Sequence, residues 1–228
     1  MTSTLRRRSI DVLSEIIVSF VGLRIVDVGC GDGTLVRALT RLGAQAVGIE
    51  CGDAVLERAR ATLPVGQEIY LQGEATLLPL ENESVDVVVF FNSLHHVPLS
   101  HQPTALVEAA RVLTPGGKVI VHEPLAEGPF FDLIRPVEDE TAARCAAYQT
   151  IRTTQALRFE QELFYLNSVC LQSYEDLATR LISAESSRVS LVAKQESRLR
   201  ADMQRLGELN ADGAYIFDQP SRINIGVK

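Results

Sequence analysis

The chain has 228 residues, 46% of them hydrophobic, which suffices for a sizeable core in one globular domain. Its 29 acidic and 22 basic side chains leave a net charge of −7, arguing against a general binder of nucleic-acid phosphates. Cys30, Cys51, Cys145 and Cys170 show neither CxxC spacing nor a nearby histidine pattern. Neither a zinc site nor a disulfide framework is therefore signalled, and reduced cytoplasmic thiols are expected.

Apolar residues at Ile10, Leu13, Ile16, Ile17 and Phe20 have the spacing of an amphipathic helix. Asp11, Ser14 and Glu15 interrupt the run, so it is neither a secretory core nor a membrane span. Arg6, Arg7 and Arg8 read as the charged start of this helix, the alternative being contact with a cofactor carboxylate.

Strand and helix patterns then alternate. Strands are predicted over 23–29, 45–50, 67–73, 85–92 and 118–124, the first rich in β-branched residues and the fourth nearly all apolar. Helices are predicted over 34–44 with a stop at Gly43, over 53–63 with Asp53 as N-cap, and over 103–113 with a stop at Pro115-Gly116-Gly117. Residues 125–180 carry helical patterns and no comparable strand, whereas 188–194 and 222–228 read as late strands around a charged helix. The rhythm predicts an α/β fold, a doubly wound, mostly parallel sheet with helices on both faces. The expected organisation is a single domain: an N-terminal helix over 1–21, a ligand-binding core over 22–124, a helical lid over 125–187 after the fifth strand, and closing elements over 188–228.

In such a sheet ligands sit at the carboxyl ends of the strands. The stretch VDVGCGDGT at 26–34 ends the first strand there. Gly29 and Gly31 let the backbone pass close to a ligand, but Thr34 stands where a dinucleotide fingerprint needs its third glycine. The Gly-Lys-Ser/Thr ending of a phosphate-binding P-loop is missing as well. Asp27 and Asp32 flank the loop and would repel a pyrophosphate, yet suit a cationic amine. Glu50, about twenty residues past Gly31, ends the second strand where an acid accepts hydrogen bonds from a ribose diol. Glu74 ends the third strand, where a carboxylate accepts from an adenine amino group. An amine, a ribose and an adenine without phosphate describe S-adenosylmethionine (SAM).

The sequence resembles the class I SAM-dependent methyltransferases, in particular the small-molecule group that includes ubiquinone- and menaquinone-biosynthesis enzymes. The blocks that carry the resemblance are VDVGCGDGT, GIE at 48–50, QGEATLLPL at 72–80, VDVVVFFNSLHHV at 85–97 and RVLTPGGKVIVHEP at 111–124. The resemblance implies a seven-stranded Rossmann-like fold. It also implies SAM as methyl donor, with S-adenosylhomocysteine as product. Gly29, Cys30 and Gly31 would line its methionine and ribose portion, and Asp27 would hold the amino group. Glu50 would take the ribose hydroxyls, Cys51 would lie against adenine, and Gly73, Glu74 and Ala75 would read its edge. Asn92 and Ser93 would contact the methionine end through backbone groups. Relatives more often carry Asp where Glu74 stands. Asp27 bonding loop amides, and Cys30 and Cys51 as small apolar fillers, are the plainer readings.

For the acceptor, His95 is a candidate general base and Glu123 a candidate for orienting an acceptor hydroxyl or amine. The LHHV segment also recurs in this family as a structural turn. His122 and Glu123 alternate across their strand, so one of them faces the pocket. No metal-ligand set stands out, and a metal-independent reaction is expected. Phe130, Phe131, Tyr148, Phe164 and Tyr165 read either as an apolar lid or as helical core, and VEDE at 137–140 reads as a solvated acidic turn. Arg135, Arg144, Arg152 and Arg158 are offered to a carboxylate substrate. The expected function is methyl transfer from SAM to O or N of a small-molecule acceptor, in a cytoplasmic monomer or homodimer without nucleic-acid partner. The alternative is a SAM-binding domain with a non-methylating or regulatory role. A nicotinamide-dependent dehydrogenase is disfavoured by Thr34, and DNA or glutamine N-methylation by the lack of an Asn/Asp-Pro-Pro-Tyr/Phe block after the fourth strand.

Overall fold

The β-branched run at the start of the Gly-rich block forms β1 (Arg24–Val28), and its neighbours form β2 (Gln45–Glu50), β3 (Ile69–Gln72) and β4 (Val85–Phe91). All pair in parallel, with Asp27 opposite Gly48 on one side and Val89 on the other. β5 (Leu113–Pro124) pairs in parallel with β4, so that Val88 meets Val119 and Phe91 meets His122. The Pro115-Gly116-Gly117 turn is absorbed into β5 as a register shift opposite Val85–Val87. The computed structural model describes residues 6–228, the side chains of Ala184 and Ser186 apart.

α1 (Ser9–Ile16) precedes β1, and between the strands run α2 (Thr34–Arg41), α3 (Asp53–Ala61), the 3-10 turn Leu94–His96 and α4 (Gln102–Val112). Asp53 is the first residue of α3 and not its cap: Gly52 precedes it without a side-chain cap bond, and the Asp53 carboxylate accepts instead from Gln72. After β5 come α5 (Pro129–Ile134), α6 (Thr141–Thr153), β6 (Arg158–Leu171), α7 (Tyr174–Ala184), α8 (Val189–Lys194), α9 (Glu196–Leu206), β7 (Glu208–Leu209) and β8 (Tyr215–Val227). The sheet order is β3-β2-β1-β4-β5-β8-β6, seven strands on one path, with the two-residue β7 beside β8.

Two expectations after β5 are corrected. The first is β6, a 14-residue strand in the stretch read as strandless. It is the last strand of the path and its first seven residues are mostly exposed, so Arg158, Glu160 and Glu162 interrupt any apolar run. Residues 189–194, read as a strand, are the helix α8. Val192 lies with Leu199 and Met203 in one core cluster, a helical spacing that overrides local β-propensity. The predicted strand at 222–228 is the second half of the longer β8, and its Pro220 accepts the Leu125 N–H at 2.8 Å.

The residues fall into two compact units. One comprises residues 9–123, 143–163 and 222–228. Its core joins Val26, Val28, Val88, Phe90, Val119 and Val121 on one sheet face to Ala105, Leu106 and Ala109 of α4 and to Ala147 and Ile151 of α6. The other comprises residues 6–8, 124–142 and 164–221. Its core gathers Phe130, Leu133, Leu177, Leu199, Met203 and Phe217. Phe130 is thus a core residue of its own unit, and Phe131 and Tyr165 are buried too, whereas Phe164 is exposed. Glu138, read as part of a solvated turn, is half-buried and paired with Arg188 at 2.9 Å. Arg6 binds Asp218 at 2.8 Å and Glu208 at 2.7 Å within this unit, which gives its charge a structural use. Among the described residues no helix is long and apolar enough to cross a membrane.

Candidate functional site

The loop after β1 turns because the Gly29 and Cys30 N–H groups both donate to Ile49 O, at 2.8 and 3.0 Å. Gly29 has φ +74°, and a Cβ there would stand 2.6 Å from the Ser93 Cβ. Only glycine satisfies both conditions. Gly31, at φ +56°, has nothing within 4 Å of where a Cβ would lie, so the loop opens outward there. The Cys30 thiol turns the other way, buried against Gly48, and burial keeps it protonated. Cys30 therefore fills space between loop and sheet, the plainer of its two readings.

Glu50 ends β2 directly beneath this opening. Its Oε2 accepts the Gly31 N–H at 3.0 Å and its Oε1 the Gly52 N–H at 2.9 Å. Cys51 is exposed, with its thiol 3.6 Å from Glu50 Oε1. Gly73 donates its N–H to Glu50 O at 3.1 Å and lets the following loop pass close to Pro79. Glu74 is exposed and accepts from the Thr76 hydroxyl at 3.4 Å, and Ala75 packs at the rim of the core. Asp32, read as a flanking acid, accepts the Thr34 N–H at 3.0 Å at the start of α2.

Asp27 is 2% exposed, and its Oδ1 is among the buried atoms without a hydrogen-bond partner. Burial, reinforced by the Glu50 charge, pushes its carboxyl up to about 8. An orphaned buried carboxylate beside an open glycine loop fits a ligand that brings an ammonium group, as SAM does. In the ligand-free chain the raised value has a signed consequence. The folded chain holds a proton between about pH 4 and 8 that the unfolded chain has lost, so this group's contribution to stability falls as pH rises through that window. The Tm advantage of Asp27→Asn over wild type should widen by about 5 °C or more between pH 5 and pH 8 in thermal scans without ligand. A constant gap would contradict the assignment.

At the ends of β4 and β5 the side chains sort onto two faces. Ser93 donates its hydroxyl to Val28 O at 2.6 Å, so its side chain ties the end of β4 to β1. Asn92 adopts φ +55°, and its Oδ1 lies 2.8 Å from His122 Nδ1. The buried His122 ring stacks on Phe91 at 4.4 Å, and burial depresses its value to about 3, so it is neutral at working pH. Glu123 points to the opposite face. There its carboxylate takes the His95 N–H at 3.2 Å and the His95 ring at Nδ1, with both residues buried. The two residues offered separately as base and orienter are thus one bonded pair, while His96 is exposed with its ring 4.1 Å from that of His95.

A glycine loop without phosphate-binding features, an acid at the end of the neighbouring strand, and this strand order together define the class I SAM-dependent methyltransferases. Residues 26–121 match the family model described as a methyltransferase domain. The ubiquinone biosynthesis O-methyltransferase of Xanthomonas oryzae pv. oryzae is 30% identical over 183 residues, covering 78% of this chain and 74% of that protein. Among solved structures, the YcgJ protein of Bacillus subtilis is similar at a TM-score of 0.64 with 20% identity, covering 96% of this chain and 97% of that one. The [4+2]-cyclase SpnF is similar at 0.61 with 20% identity, covering 96% and 78%. The chain belongs to the SAM-dependent methyltransferase family, and is an enzyme of that kind resembling the ubiquinone-biosynthesis members.

Proposed function

We propose that the enzyme moves the methyl group of SAM to an oxygen or nitrogen atom of a small-molecule acceptor, with His95 as general base and Glu123 as its orienting partner. The observation that carries this reading is the buried His95–Glu123 pair. It lies two residues beyond Ser93, whose side chain abuts Gly29 of the ligand loop. When bound, SAM supplies an electrophilic methyl group on a sulfonium. Asp27 and the Gly29–Gly31 backbone hold its amino-acid end, Glu50 its ribose, and Gly73, Glu74 and Ala75 its adenine edge. Glu123 fixes the His95 ring through Nδ1 and so orients the imidazole that takes the proton of an acceptor hydroxyl or ammonium. The relative named for O-methylation in ubiquinone biosynthesis supports oxygen as the atom methylated.

Labelled SAM incubated with a panel of phenols, catechols and amines tests this directly. Transfer of label to at least one hydroxyl acceptor is expected. Saturable SAM binding without turnover on any acceptor would favour a non-methylating role for the same fold.

A further inference from the structure

Lys228 N–H donates to Gly117 O at 3.1 Å, and Leu125 N–H donates to Pro220 O at 2.8 Å. Both bonds belong to one antiparallel register of β8 on β5, and that register sets Arg222 directly opposite Glu123. Residues so opposed share a sheet face, here the face on which Val119 and Val121 meet α6. Arg222 is only 8% exposed. Its guanidinium lies over the Tyr148 ring of α6, with Cζ 3.5 Å from the centroid. Its Nε donates to Asn224 Oδ1 at 3.0 Å, and the Asn224 amide donates in turn to Glu162 Oε1 at 2.9 Å. Glu162 is 3.8 Å from the same Nε. Stacking and the Nε bond therefore fix the plane and tilt of the cation.

Its outer edge is another matter. Among the described residues no hydrogen bond engages Nη1 or Nη2 of Arg222, and neither atom is among those sealed from solvent without a partner. Glu123, though opposite, has both oxygens turned to His95. Four N–H donors of an always-charged group thus stand at the dyad with their geometry set in advance. Such a fork is shaped for two oxygens of one anion. Two of the arginines that the sequence offers to an anionic substrate lack this build. Arg135 is exposed and bonded to Asp139, and Arg158 is exposed and bonded to Glu160.

We infer that Arg222 determines acceptor specificity, and that the acceptor presents an oxyanion, a carboxylate or a phenolate, to the Nη edge of its guanidinium. The inference rests on reading His95 and Glu123 as the acceptor end of the site. Tyr148 beneath the cation suits a planar acceptor, and a neutral one would leave the fork unpaired on burial.

A matched pair of probes tests it: 3,4-dihydroxybenzoate and its neutral methyl ester, with 4-nitrocatechol as the phenolate. Binding is measured by calorimetry on protein saturated with S-adenosylhomocysteine, and methyl transfer is followed separately. The wild type is expected to bind the acid about ten- to hundredfold more tightly than the ester. Arg222→Met should erase that preference, and Arg222→Lys should restore part of it, with S-adenosylhomocysteine affinity unchanged in both. Whichever anion binds more tightly identifies the oxyanion. Equal binding of acid and ester, failure of the wild type to bind any anionic probe, or a preference that survives Arg222→Met would overturn the inference. If Arg222→Met does not fold, the wild-type comparison and Arg222→Lys decide. An Arg222-dependent preference without methyl transfer would leave the anion site standing and remove the transferase role.

Discussion

Glu50→Ala is expected to weaken SAM binding about a hundred- to thousandfold while the fold persists. One carboxylate does two things at the loop. It already holds the Gly31 and Gly52 N–H groups at 3.0 and 2.9 Å, and it remains able to accept from a ribose diol. Hydrogen bonds to a charged acceptor are worth about 1.5–3 kcal/mol each, so losing two ribose bonds alone approaches three orders of magnitude. The two N–H groups left without a partner add to the loss. Glu50→Gln keeps one accepting oxygen and should fall between. Calorimetry with SAM reads the effect, and affinity within tenfold of wild type for Glu50→Ala would remove Glu50 from the ribose site.

The other large effect is expected on turnover. His95→Gln should lower kcat about 10²- to 10⁴-fold, the range for loss of a positioned general base, and Glu123→Gln about 10²-fold. SAM affinity should move by less than about threefold in both, because the proposed ribose and adenine contacts belong to Glu50 and to Gly73, Glu74 and Ala75. Since the two act as one unit, the double variant should be no slower than His95→Gln alone. Multiplicative losses would mean independent roles, and unchanged kcat in either single variant would return the LHHV segment to a turn.

The alternating strands and helices up to Glu123 were legible because the parallel strands are rich in apolar and β-branched residues and the helices at 34–44 and 103–113 end at glycine or proline stops. The placement of Glu50 at the end of β2, beside the glycine loop, was legible from spacing. The sign of Cys30 was not: whether a thiol beside two glycines faces ligand or sheet depends on Gly48 across β2, a tertiary fact. Alternation along β5 said that His122 and Glu123 part ways, but not which way. Stacking on Phe91 answers that for one and the His95 bond for the other. Arg222 escaped notice altogether. RINIGVK reads as a closing strand, and only its register on β5 brings the arginine to Glu123. The one available signal was Arg222 and Asn224 at alternate positions, two polar residues sharing a face in an otherwise apolar strand.

The strand that prediction passed over has a use beyond closing the sheet. β6 is the last strand of the path, and its exposed stretch carries Arg158, Glu160 and Glu162, with Arg158 and Glu160 ion-paired at 2.7 Å. A long terminal strand of apolar residues would offer its backbone to any passing chain and invite aggregation. The charges that hid β6 from a hydropathy reading are the same ones that make the margin of the sheet a poor template, keeping the folded enzyme from growing by strand addition.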